Sequence, residues 1–265
     1  MSSKTNGTSE LIFGGVGAAY RNIAPAWRGA WAGLIFSGLT TGLWFATART
    51  APHAPSTLIW WILTVVAGLM AKGAAYRLAV GRGKPGPGGL QLGRVELNLV
   101  VVALLTFAFL FVLGLLLLVV LLCTAYAVAS AGPGFVASEV ATWAGAIVGR
   151  GRVVFGLVAL VGAAGMIWAG ARICLAAAVT VARDEIQVLA TWPMTRDRVA
   201  PIVLAGILTA AGPFAVLAIV HLALRLAAAD PSILFAGKIV AGLILVGLWV
   251  PMGIGLMAYL QRRLS

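Results

Sequence analysis

RICLAAAVTVARDEIQVLATWPMTRDR, residues Arg172–Arg198, is the one stretch where acids, bases, a tryptophan and a proline crowd together between apolar runs. It holds Arg172, Arg183, Arg196 and Arg198, and three of the chain's seven acidic residues, Asp184, Glu185 and Asp197. The apolar run on each side exceeds the roughly 20 residues that a membrane-crossing helix needs. The stretch therefore reads as the inner end of one span, a short surface segment and the start of the next. That reading decides the fold class: all-α, a polytopic integral membrane helical bundle.

Composition points the same way. Hydrophobic residues make up 62% of the chain and charged residues 10%, with a mean hydropathy of +1.04, far from soluble usage. The net charge of +12 comes from 19 basic against 7 acidic residues. In a nucleic-acid binder those bases would gather on a soluble face among aromatics. Here they fall between apolar runs, so nucleic acid is not an expected partner. Anionic membrane lipids are, with other membrane proteins as further candidates. Cys123 and Cys174 sit in apolar runs without any CxxC or Cys/His spacing. They read as small packing residues, with no zinc site or disulfide.

Outward from the central stretch, residues 1–265 read as a single transmembrane domain of about six spans. The spans are expected near 27–46, 57–80, 95–130, 153–180, 199–226 and 233–260. Residues 1–24 form a cytoplasmic tail and a weakly amphipathic interfacial helix, in which Ile12, Val16, Tyr20 and Ile23 recur at helical spacing. Pro25 marks a bend. Gly29/Gly33 and Gly38/Gly42 are small-xxx-small pairs in the first span, read as packing surfaces. Lys72 and Arg77 lie in the last third of the second span and are expected to snorkel to the surface. GRGKPGPGG, 81–89, is a loop by composition. Its G-x-G spacing follows no strand, which argues against a dinucleotide site.

From 95 to 130 the chain is nearly all apolar, and a straight helix of that length spans roughly 50 Å against about 30 Å of hydrocarbon. One long, tilted or protruding span is expected, since only Gly114 offers a break. AGPG at 131–134 ends it. Val136, Val140, Trp143 and Ile147 then suggest a short helix on the outer surface. Pro213 and Pro251 are expected to kink the last two spans.

Lys and Arg counted on alternate sides give fourteen inside and five outside (Arg49, Arg150, Arg152, Arg225 and Lys238). By the positive-inside rule both termini are cytoplasmic, which requires an even number of spans.

Within the central stretch, Arg172 lies a turn or two inside the expected end of the fourth span, where a charge is costly without snorkelling or a partner. Trp192 is at the level of an interface ring, Pro193 stops any helix through Ile186 and Leu189, and Thr195 can cap the fifth span. Arg196 and Arg198 do not suit a helix N-terminus and point to a phosphate or carboxylate. Three readings stand side by side. The arginines set topology alone; or a structural pair, Arg172–Glu185 or Arg196–Glu185, ties two spans; or Arg172, Glu185, Trp192, Arg196 and Arg198 form a ligand or partner site. Arg82, Lys84, Arg94 and Arg183 are further candidates for lipid headgroups.

This run resembles the signature of the bacterial family that includes the membrane domain of glycerophosphoryl diester phosphodiesterases and related six-span proteins of unknown function. Its pattern is an arginine opening a small-residue helix, an acid, then Ser-Trp-x-Leu-Thr-Arg-Gly-Arg. Arg172, Glu185, Trp192, Thr195, Arg196 and Arg198 match, while Thr191, Met194 and Asp197 depart from Ser, Leu and Gly. The resemblance covers about 30 residues closely. It implies a six-span fold in a bacterial inner membrane and carries no activity over, because the phosphodiesterase chemistry belongs to a separate soluble domain. No metal, cofactor or catalytic constellation is expected: His53 and His221 lie far apart in the chain, and no P-loop, HExxH or nucleophile-elbow pattern occurs. His221 reads as a packing or hydrogen-bonded residue. Two functions remain in view: a non-catalytic lipid- or partner-binding scaffold or accessory subunit of the envelope, and a transporter or permease-like subunit. The absence of matching broken helices in the two halves favours the first.

Overall fold

The computed structural model describes residues 2–50, 54–83, 85–132, 136, 143, 147, 149–227 and 231–265. Among them every regular element is a helix. In chain order these are α1 (Ser2–Arg21), α2 (Ile23–Thr50), α3 (Pro55–Val80), a 3-10 turn (Pro87–Gly89), α4 (Arg94–Ala129), α5 (Arg150–Ile173), α6 (Ala176–Arg183), α7 (Thr191–Met194), α8 (Val199–Ala227) and α9 (Pro231–Leu264).

Among the described residues, five segments are long and apolar enough to cross a membrane: Pro55–Val80, Pro87–Ala129, Arg150–Arg183, Val199–Leu224 and Ile233–Leu264. The protein is a multi-pass helical membrane protein. The helix expected as the first span, α2, is not among the five. It is long enough at 28 residues, but Ser37, Thr40, Thr41 and its glycines dilute its apolar character. The reason is its place: α2 packs most extensively against α9 and α3, and Ser37, Thr40 and Thr41 are buried. Thr40 and Thr41 return their hydroxyls to carbonyls one turn back, Thr41 Oγ1 to Ser37 O at 2.6 Å. These polar residues face protein, while Trp31, Phe36, Leu39 and Phe45 of the same helix are exposed.

The chain forms two compact units, Met1–Ala103 with Cys174–Ser265, and Leu104–Ile173. In the first, glycines set the helix spacing. A Cβ at Gly242 would stand 2.5 Å from the backbone nitrogen of Gly42 and 2.6 Å from Gly38 O. The Gly38/Gly42 pair is thus the α2 side of a backbone-to-backbone crossing with α9. Gly29 faces Leu78, and Gly33 faces Ala71 and Gly89. Both pairs pack within the chain, as read from the sequence.

α1 covers more than the expected interfacial piece. It packs on α8 and α9 through Leu11, Gly15 and Ala19, while Tyr20, placed in the buried stripe by spacing, is 45% exposed. Gly14 and Gly15 lie against Tyr259 and Leu256, Tyr20 reaches Gly212 of α8, and Leu11 and Ile12 are buried.

Pro213 and Pro251 both lie inside their helices. Proline has no N–H, so Pro251 leaves the carbonyl of Gly247, four residues back, without its helical donor. Trp27 Nε1 donates to that carbonyl at 2.9 Å, and Asn22 Nδ2 donates to Pro251 O at 2.7 Å. The departure from helical dihedrals falls in α2, at Ala30 (φ −132°, ψ 22°). There the 81–93 loop comes in: Gly89, at φ 80°, would drive a Cβ to 2.7 Å from Ala30 Cα. The glycines let loop backbone seat against helix backbone.

In the second unit, residues 104–129 of α4 and 153–171 of α5 carry apolar side chains on every face, with Leu104, Phe107, Leu116, Leu160 and Val161 strongly exposed. Only lipid suits such surfaces. α4 is one continuous helix of 36 residues, about 54 Å long, without a break at Gly114. Of the expected outer-surface helix, Val140 and its neighbours lie outside the described residues. Trp143 meets Tyr126 edge-on at 5.5 Å, and Ile147 is buried with Ala125 and Ala129.

Candidate functional site

The central stretch divides at Cys174–Leu175, where α5 ends and α6 begins. Arg172 is buried in the last turn of α5, with its guanidinium 5.2 Å from the ring centroid of Trp168, one turn back. Trp168 thus supplies an aromatic face to the guanidinium. Asp184, in the left-handed region at φ 58°, closes α6, and Gln187 N donates to the buried Thr180 hydroxyl at 3.1 Å. Glu185, expected to pair with Arg172 or Arg196, is exposed, and its carboxylate accepts from Gln187 Nε2 at 3.4 Å. The left-handed turn at Asp184 is what faces it outward. Pro193 does not end a helix; it sits inside the single turn of α7. Thr195 does not cap α8. Its hydroxyl points back to Thr191 O (3.0 Å) and Trp192 O (3.3 Å).

Arg196 is exposed, and its nearest acid is Asp197 at 4.0 Å, a pairing that contributes little in water. Trp192 and Arg198 are half-buried, and Arg82, Arg94 and Arg183 are exposed. Lys84 lies outside the described residues.

The buried ion pair of the first unit is elsewhere, between residues that flank the 81–93 loop. Arg77 Nη2 meets Glu96 Oε2 at 2.7 Å, with both side chains under 10% exposed. Arg77 was expected to snorkel, but it is enclosed because an acid waits one hairpin away. Gly93 N also donates to Glu96 Oε2 (2.9 Å), and Gly86 N donates to Gln91 Oε1 (2.9 Å). Gln91 Oε1 in turn faces Arg77 Nη1 at 3.4 Å. The network pins the loop. Gly73 is required beside it, since a Cβ there would strike Glu96 Oε1 at 2.1 Å. The sequence carried a signal for this pair: an arginine in the last turn of one apolar helix and a lone acid in the first turn of the next.

Arg198 belongs to a different grouping, at the end of the first unit where α1, the residue before α8 and the end of α9 present arginines. Two clefts adjoin there and share Tyr259. One, of about 220 Å³, is lined by Arg21, Asn22, Tyr259 and Arg262. The other, of about 180 Å³, is lined by Glu10, Arg198, Tyr259 and Arg263. Arg262 donates to Ala79 O at 2.7 Å, Arg263 pairs with Glu10 and lies over the Tyr259 ring, and Tyr259 donates to Glu10 O at 3.1 Å. Arg262 and Arg263 are thus anchored at defined positions, and Glu10 is the one acid among the described residues that line either cleft. The arrangement suits a phosphate or carboxylate between helices. Arg196, Glu185, Trp192 and Arg172 do not line these clefts.

No family model, curated protein or solved structure matches the chain.

Proposed function

We propose that this is a non-catalytic multi-pass protein of a bacterial inner membrane, with both termini in the cytoplasm, that holds anionic lipid headgroups at its arginine-rich end. The carrying observation is the pair of clefts that share Tyr259: Arg21 and Arg262 line one, Arg198 and Arg263 line the other, and Glu10, the one acid among the described residues lining them, is paired with Arg263. The fourteen-to-five charge split favours that end as the cytoplasmic one. The resemblance of Arg172–Arg198 to the membrane domain of the glycerophosphoryl diester phosphodiesterases supports the same class. Holding a headgroup there would fasten α1 to the bundle and offer a lipid-dependent platform to other envelope proteins.

The test is thermal unfolding of the purified protein with added phosphatidylglycerol or phosphatidylcholine. Phosphatidylglycerol should stabilise more, by roughly 1 kcal/mol per engaged arginine, and the difference should shrink with salt. Arg21→Ala with Arg198→Ala should remove it, while Arg94→Ala should not. Equal stabilisation by the zwitterionic lipid overturns the reading. Reporter fusions after Gly83 and Ser265 should both report cytoplasm.

A further inference from the structure

At the opposite end of the first unit, the C-terminal turns of α2 and α8 and the N-terminal turns of α9 enclose a third cleft, of about 310 Å³. Its walls are apolar, including Phe45, Leu224 and Leu234, and two basic side chains enter it, His221 and Lys238. Among the described residues that line it there is no acid. Leu224 packs across Gly237, which brings α8 and α9 together below the opening. Beside it, Ile219, Leu222, Leu226, Phe235 and Val240 are exposed apolar side chains, the surface that a bilayer covers. The cleft is therefore continuous with the lipid-facing belt.

We infer that this cleft is a second lipid site, taking one acyl chain of an anionic phospholipid from the leaflet opposite the arginine-rich end, with the phosphate held by Lys238 and His221. The Lys238 ammonium favours a negative head, and the His221 imidazole adds a hydrogen-bonding group at the same opening. A small soluble anion would leave the apolar wall unused, so the occupant is an amphiphile. The lateral continuity with the belt makes it a bilayer lipid rather than a ligand arriving from water. At this volume one chain enters and the other stays in the bilayer. The site assigns His221 a role in headgroup selection and does not depend on the proposal for the arginine-rich end.

Photocrosslinking in nanodiscs tests it. Phosphatidylglycerol with a diazirine near the head of one acyl chain, diluted in phosphatidylcholine, should label 233–241 and 219–226 above the rest of the lipid-facing surface. Each basic side chain near an anionic head is worth about a fivefold preference. His221→Gln with Lys238→Gln should therefore lower labelling there by at least about fivefold, with Lys238→Arg retaining it. Labelling near Tyr259 should be unchanged, which separates this site from the other end. Equal labelling by a phosphatidylcholine probe, or unchanged labelling in the double variant, overturns the inference. If the double variant does not fold, His221→Gln against Lys238→Arg decides on the same readout.

Discussion

Arg77 Nη2, in the last turn of α3, and Glu96 Oε2, in the first turn of α4, stand 2.7 Å apart and share the closure of the loop between them. Three turns of chemistry meet there: the pair neutralises two charges near a membrane surface, orders Gly93, and leaves no room for a side chain at Gly73. Removing one member of such a pair leaves the other buried and uncompensated, at about 3–5 kcal/mol. Arg77→Ala and Glu96→Ala should each lower stability by that order, and the double variant by less than the sum. Unfolding all three in one detergent checks this; additivity would show that the pair is not coupled.

Gly242 should tolerate no side chain. Its Cβ would meet backbone atoms of Gly38 and Gly42, which cannot turn aside. Gly242→Val should cost at least the 1–3 kcal/mol of an overpacked core and separate α2 from α9. Gly156→Ala and Gly165→Ala, where a Cβ meets nothing within 4 Å, should be neutral or slightly stabilising, since alanine suits a helix better. Melting temperatures of the three variants decide.

Trp27 and Pro251 should be coupled. Trp27→Phe keeps the ring but removes the donor to Gly247 O, leaving a carbonyl unsatisfied at about 1–3 kcal/mol. Pro251→Ala restores a backbone N–H to that carbonyl, so Trp27→Phe should cost much less in a Pro251→Ala background. An equal cost in both backgrounds would mean that the indole acts by packing alone.

Arg172 and Arg196 should differ sharply. Arg172 is buried over Trp168, and Arg196 is exposed. Arg172→Ala should lower stability strongly, Trp168→Leu by about 0.5–2 kcal/mol, and Arg196→Ala by no measurable amount. Thermal melts of the three, in the same detergent, check the order. A melt of Arg172→Ala that matched the parent would make the buried arginine dispensable to the fold.

The class of this protein was written in its sequence. Apolar runs longer than a bilayer is thick have one solvent that suits them, and a helix is the one way each run can satisfy its own backbone. The unbroken α4, the packing use of Gly29/Gly33 and Gly38/Gly42, and the glycine-rich loop all followed from local composition. Partners across space did not. Glu185 and Arg172 are 13 positions apart, and proximity suggested a pair; the left-handed turn at Asp184 turned Glu185 outward instead. Arg77 found Glu96 because the hairpin closes that way, and Trp27 found Gly247 across 220 positions. The gathering of Arg21, Arg198, Arg262 and Arg263 around Tyr259, and of Phe45, His221 and Lys238 at the other end, needed α1, α2, α8 and α9 to pack at glycine spacing. Hydropathy is a property of each segment and survives in one dimension. Which face of one helix meets which face of another depends on where backbones can approach, and only the tertiary structure decided that.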